Sequence, residues 1–377
     1  MKVLMVTPSF YPIVGGTETN VWKITWALNK NNIHADIMTF NMNTKWKPIW
    51  KEEKYKINNI NIFKISALNL FSNLRINPLE KIIKINNIPN YKFLHKIVEY
   101  DLIHFHDDID LSFPLFSILM EKPKVFHIRT LTYTYNSYKL NPLSRLIFTN
   151  IADKYISNSS YNKELLMKLG IPSKKINVLP NFVDINMFKP NPNKKIDNLI
   201  LFVGRPVIRK GLHVLLHSLK YIDIPLHLII ICPYSNNNYF KNILTTIKKI
   251  NNFSIHKVEY IGKIINKKLP EWYQKSSIFV CPSLGESFGT VNIEALSCGT
   301  PVVASNVGGI PDIIKNGING ILVPPNNSVE LAKAIKKLLI NEDLRIKYGK
   351  QGRTMVEKYF SMDYMTKEII KIYKSLL

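Results

Sequence analysis

The sequence predicts an α/β protein of two domains, each an open, mostly parallel sheet flanked by helices. Three observations carry this. The 377 residues exceed one ordinary core, and roughly 100–200 residues per domain gives two. Short apolar runs, such as VLMV at 3–6 and LIII at 228–231, read as strands buried on both faces and alternate with amphipathic helical stretches. Between the halves, residues 189–195 (KPNPNKK) are polar and proline-rich, the best linker in the chain.

The first strand is residues 2–7, after which PSFYPIVGG leads into a helix from about Thr17 with Val21, Ile24 and Leu28 on its apolar face. Gly15 and Gly16 let backbone approach a ligand closely, although they do not form a dinucleotide fingerprint. Strands follow at 34–40 and 60–65. Lys45, Trp46, Lys47, Trp50, Lys51, Lys54, Tyr55 and Lys56, and an apolar segment at 68–85, suit either a solvated loop or a membrane interface, where rings sit at headgroup level. DLIHFH at 101–106 is a strand leading through His104 and His106 to Asp107, Asp108 and Asp110. Imidazole and carboxylate both bind metals, but carboxylates at a strand end more often cap the next helix, and no metal is expected. His127 lies near the C-terminal edge of a strand at 125–128, the edge where open parallel sheets bind ligands. A structural and a ligand-binding histidine both fit there. Strands at 151–157 and 176–179 flank a helix at 162–169, and Asn181-Phe182-Val183-Asp184 follows.

The formal charge of +24 is spread along the chain. Residues 1–189 hold 25 Lys/Arg and 14 Asp/Glu, a balance of +11, and residues 190–377 hold 26 and 13, a balance of +13. With no basic block and seven arginines among 51 basic residues, nucleic acid is not an expected partner. A coding bias toward Lys, Asn and Ile explains the excess, and an anionic membrane surface is the functional alternative. Cys232, Cys281 and Cys298 lie on or beside apolar stretches without metal-ligand spacing, and read as buried thiols of a reducing, cytoplasmic compartment. There is no run of 18 apolar residues to span a membrane. MKVLMV is interrupted after six residues by prolines and glycines, which fits a buried strand better than a signal peptide.

The second domain opens with a strand at 199–203, then Gly204-Arg205-Pro206-Val207-Ile208-Arg209-Lys210-Gly211 and an amphipathic helix. Arg205 and Lys210 frame a loop at the strand end and suit a diphosphate, Arg through paired N–H donors and Lys as a point charge. Exposed basic residues of a basic protein would look the same. Strands at 226–231 and 258–261 and a short helix at 269–274 lead to the most informative stretch, residues 285–325. There the strand SIFVCP, a glycine turn at 285–289 and a helix start make an anion site from free N–H groups and the helix dipole. Glu286 and Glu294 stand eight positions apart. With the helix starting near Gly289, Glu294 lies about 7.5 Å along its axis, a separation long enough for each carboxylate to reach one end of a nucleotide sugar. A strand at 301–304, a helix at 328–339 and a helical segment at 362–377, with Met365, Ile369, Ile372, Tyr373 and Leu376 on one face, complete the chain.

The E-x7-E pair Glu286 and Glu294, Gly204-Arg205 with Lys210-Gly211, Gly15-Gly16-Thr17-Glu18, and Asn181-Phe182-Val183-Asp184 occur in an order and spacing that resembles the retaining GT-B glycosyltransferases numbered family 4, along almost the whole chain. The resemblance implies two Rossmann-like domains facing an interdomain cleft: an acceptor-side domain at 1–189, a nucleotide-sugar domain at 190–358, and a segment at 359–377 that crosses back to the first. It implies that Arg205 and Lys210 neutralise the donor diphosphate while backbone at Gly16 approaches the same phosphates. Glu294 would accept from the ribose, Gly262 and Lys263 would lie near the base, and Glu286 with Phe288, Gly289 and Thr290 would hold the transferred sugar. His127 would stand near sugar and acceptor, making Glu286, His127, Arg205 and Lys210 the catalytic set. The implied enzyme is a hexosyltransferase needing no metal or cofactor, acting on a glycan or lipid-linked acceptor at the cytoplasmic membrane face. A sugar-nucleotide-binding protein without transfer activity is the alternative. Phe182, where glycine is more usual, and Arg129-Thr130, where an aspartate is common, depart from the family pattern toward the acceptor side.

Overall fold

The computed structural model describes residues 1–11, 16–43, 49, 51–68, 88, 89, 92–106, 114, 117–129, 135 and 142–377. They form two compact units, Met1–Leu179 with Met365–Leu377, and Pro180–Tyr364.

The first unit contains strands β1 (Lys2–Thr7), β2 (His34–Phe40), β3 (Glu53–Ile57), β4 (Ile60–Ile65), a short pair β5 (Ala67–Leu68) and β6 (Ile88–Pro89), then β7 (Leu102–His106), β8 (Lys124–Ile128), β9 (Lys154–Ser157) and β10 (Ile176–Val178). Its main sheet runs β10-β9-β8-β7-β1-β2-β4-β3, parallel except where β3 pairs antiparallel with β4. Val3, Leu4, Met5 and Val6 are all buried, because β1 is central and covered on both faces. The chain order reverses at β1, which lies between β2 and β7, and such a reversal opens a crevice at the C-terminal ends of the strands. Residues 54–56, read from sequence as loop or interfacial segment, instead belong to edge strand β3, where Lys54 and Lys56 are exposed. Trp46 and Trp50, and nearly all of the segment at 68–85, lie outside the described residues. The helix Met362–Lys374 buries Met365, Ile369, Ile372 and Tyr373, and the Tyr373 hydroxyl lies 2.5 Å from His104 Nδ1 on β7.

The second unit contains β11 (Ile196–Val203), β12 (His227–Ile231), β13 (Lys257–Gly262), β14 (Ser276–Cys281), β15 (Val302–Ser305) and β16 (Gly320–Val323), all parallel in the order β13-β12-β11-β14-β15-β16. Here the reversal falls between β11 and β14. The division at 179/180 precedes the compositional linker, and packing explains why. The Phe188 carbonyl accepts from Ser297 Oγ at 2.6 Å and Arg353 Nη1 at 2.7 Å, and the Lys189 carbonyl accepts from Gln274 Nε2 at 2.8 Å. Lys195 is half-buried, donating to the Ser276 carbonyl at 2.7 Å and Thr300 Oγ1 at 2.6 Å, and desolvation pushes its ammonium down to about 8. Two long helices not marked in the sequence reading, Asn238–Phe253 and Glu342–Tyr359, also belong to this unit.

Candidate active site

The loops that follow β11 and β14 leave neighbouring strands at the same edge of the second sheet, at its reversal point. After β11, a single tight turn (Ile208–Lys210) ends at Gly211, whose φ of +68° is the left-handed region that suits glycine. The close approach is as restrictive as the torsion: a Cβ at Gly211 would stand 1.8 Å from the Pro282 carbonyl oxygen. The Leu284 N–H donates to the Arg209 carbonyl at 2.7 Å, so the two loops are joined backbone to backbone. On its other side Glu286 is held by a glycine pair. Its carbonyl accepts from Gly309 N–H at 3.1 Å, and a Cβ at Gly308 would meet that same oxygen at 1.8 Å.

This frame brings Lys210 and Glu286 together. The ammonium and carboxylate form a direct ion pair, with side chains 16% and 10% exposed. Phe288 and Gly289 are buried beside them, and Phe288 packs on Phe360 with ring centres 6.0 Å apart. Gly289, at φ +95°, precedes the helix Thr290–Ser297, and Thr290 Oγ1 accepts from Asn181 Nδ2 at 3.4 Å. Ser287 Oγ is buried without a hydrogen-bond partner. One turn into the helix, Glu294 Oε2 accepts from the Tyr273 hydroxyl at 2.9 Å, and burial holds that phenol far above its ordinary range. Arg205 is exposed beyond the end of β11. Gly262, at φ +90°, and exposed Lys263 end β13, two strand positions from β11 and so roughly 10 Å along the same edge. Tyr273 and the Gly308-Gly309 turn escaped the sequence reading; the glycine pair shortly after the two glutamates was the available signal.

In the first unit Gly16 begins the helix that follows β1, with open space where a Cβ would stand. Ser9 Oγ donates to the buried Glu18 at 2.5 Å. His104 and His106 on β7 face the same side, and His127 on β8 is the register partner of His106. Ring centres are 4.1 Å apart for His104 and His106, 5.4 Å for His106 and His127, and 5.5 Å for His104 and His127, whose planes differ by 4°. Burial, with Arg129 beside them, holds all three neutral, His104 down to about 3. Their donor atoms all lie within 4.8 Å of one another, and Arg129 Nη2 lies 3.4 Å from His127 Nδ1. As arranged, the cluster is a group of three buried neutral rings whose nitrogens lie close enough together to hold a metal ion. Asp107, Asp108, Asp110, Gly15 and Thr130 lie outside the described residues.

A cavity of about 530 Å³ opens at the opposite, N-terminal edge of the second sheet, between Lys195, Cys298, Pro301 and the helix Glu342–Tyr359. None of the motif residues lines it.

Two α/β domains with mainly parallel sheets, the second with a cation and a carboxylate paired at its reversal point, define a class of two-domain α/β proteins with a polar site at a strand edge. Residues 183–355 match the family model of glycosyl transferases group 1, and residues 14–187 that of glycosyltransferase family 4. An uncharacterized glycosyltransferase of Methanocaldococcus jannaschii is 31% identical over 388 residues, covering 100% of this chain and 99% of its own. Among solved structures, HepE of Anabaena in complex with UDP superposes with a TM-score of 0.79 at 20% identity over all of both chains. Sucrose-phosphate synthase of Thermosynechococcus elongatus gives 0.78 at 20% identity, covering 100% of this chain and 98% of that one. The chain belongs to the family 4 glycosyltransferases of GT-B fold, and it is a glycosyltransferase.

Proposed function

We propose that the protein transfers a hexose, with retention of configuration, from a nucleoside-diphosphate sugar to a glycan or lipid-linked acceptor. The observation that carries this reading is the placement of Lys210 and Glu286 side by side at the reversal point of the second sheet. HepE, similar in fold, has been solved with UDP and with UDP-glucose, which supports a nucleotide-sugar donor. Arg205 and Lys210 bind the diphosphate and stabilise the charge that grows on it as the bond to the sugar breaks. Glu286 accepts from sugar hydroxyls and, with backbone N–H groups at Phe288, Gly289 and Thr290, fixes the ring. Glu294 accepts from the ribose, Gly262 and Lys263 border the base, Gly16 approaches the phosphates, and His127 faces sugar and acceptor. The acceptor oxygen bonds to the anomeric carbon on the face the diphosphate leaves, and the departing phosphate takes the acceptor's proton. No metal enters this scheme.

Among the described residues no helix is long and apolar enough to cross a membrane. Peripheral attachment at the cytoplasmic membrane face is supported by the spread of basic residues and by the helix Pro142–Asn150, which exposes Leu143 and Leu146 on either side of Arg145. A thermal-shift screen of nucleotide sugars tests the donor assignment, since a ligand of the native state alone raises its melting temperature. One donor class raising Tm, followed by donor turnover with mixed acceptors, is the expected result. Binding without turnover or hydrolysis would favour a sugar-nucleotide-binding protein, and no binding by any donor would end the donor assignment. Liposome sedimentation that increases with anionic lipid is the expected result for the membrane reading, and indifference to lipid charge would end it.

A further inference from the structure

We infer that the Lys210–Glu286 ion pair makes Glu286 a specificity determinant that favours the intact sugar nucleotide over the bare nucleoside diphosphate. The inference rests on the donor site proposed above. Two cations serve that site, and they differ in state. Arg205 is exposed, and no carboxylate among the described residues lies within ion-pair distance of it. Lys210 is already engaged, its ammonium held by the Glu286 carboxylate, and both side chains are largely buried.

An ammonium shared with Glu286 gives a diphosphate only part of its charge, so for Lys210 to serve the diphosphate fully it must leave Glu286. The backbone on each side of the pair is clamped. Leu284 N–H bonds the Arg209 carbonyl at 2.7 Å, Gly211 lies against the Pro282 carbonyl, and Gly309 N–H bonds the Glu286 carbonyl at 3.1 Å. Movement therefore falls to the flexible lysine stem. What it leaves behind is a carboxylate, about a tenth exposed, which accepts hydrogen bonds but donates none. A buried charge that loses its partner is strongly unfavourable.

The two ligands differ in what they offer that carboxylate. Phosphate oxygens accept only, and their negative charge repels it. Sugar hydroxyls donate, and can replace the lysine. With the intact donor, Lys210 moves to the diphosphate and Glu286 is satisfied again by hydroxyls. With the bare diphosphate, either Glu286 is stranded or Lys210 stays shared with it and gives the phosphates less than its full charge. Arg205 contributes to both ligands alike; Lys210 contributes fully only when the sugar is present.

Calorimetric titration of UDP and UDP-glucose, GDP and GDP-mannose, and ADP and ADP-glucose into the full chain tests this. In Glu286→Gln, which keeps shape and removes charge, bare-diphosphate binding should strengthen about tenfold, and the preference for the sugar nucleotide relative to wild type should fall by at least that factor. Glu286→Ala serves as a second variant, with melting curves confirming that each is folded. In a Lys210→Met background the same Glu286→Gln change should no longer strengthen diphosphate binding. Unchanged or weaker diphosphate binding in folded Glu286→Gln and Glu286→Ala, with the wild type binding normally, would overturn the inference while leaving the donor site standing. Wild type that binds neither member of any pair would overturn both.

Discussion

The Leu284 N–H donates to the Arg209 carbonyl across 2.7 Å, joining the loop that carries Glu286 to the loop that carries Lys210. The two site residues are 76 positions apart in sequence, and their pairing depends on this seam. Gly211→Ala attacks it directly. The alanine would have to adopt φ +68° and place its Cβ 1.8 Å from the Pro282 oxygen. A loss of about 2–4 kcal/mol in urea unfolding is expected, together with a drop in donor affinity larger than that of any exposed-surface control.

Tyr273→Phe removes the hydroxyl that donates to Glu294 at 2.9 Å, leaving the ring packed on Phe188 and Phe279. The expected cost is about 1–2 kcal/mol of stability. If Glu294 serves the ribose, the donor KM rises several-fold while kcat changes less. An unchanged KM would separate Glu294 from donor binding.

The clustered, buried histidines predict acid lability. Their folded pKa values lie below the unfolded value of about 6.5, with His104 at about 3. Below pH 6.5 the unfolded chain therefore binds protons that the folded chain does not. Stability is complete above that pH and is lost as pH falls toward 3. In His106→Leu the loss of stability between pH 7 and pH 5 should be about 2 kcal/mol smaller than in wild type, measured by urea titration at each pH.

What the sequence made legible follows from where the signals are local. Continuous apolar runs such as Val3–Val6 and Leu228–Ile231 marked strands that turn out buried on both faces. The E-x7-E spacing marked a turn and helix start that the structure places around Gly289. Edge strand β3 escaped because EKYKI has one side pairing only and no buried residue among its five to set an apolar alternation. The helix Glu342–Tyr359 escaped because it is polar overall and holds Gly349 and Gly352. Those glycines are there for packing: a Cβ would stand 2.3 Å from the Gly299 oxygen at one and 2.5 Å from Leu296 at the other. Lys210 and Glu286 were each legible as motif members, but their mutual pairing was not, because it depends on β11 and β14 being sheet neighbours.

The central claim is that the Lys210–Glu286 constellation is where glycosyl transfer takes place. Its most direct test is donor turnover with mixed acceptors by wild type, Lys210→Ala and Glu286→Ala, each shown by its melting curve to be folded. Loss of one preorganised charge predicts a fall of at least about 10²–10³ in turnover for either variant. Turnover in either variant equal to that of the wild type would contradict it.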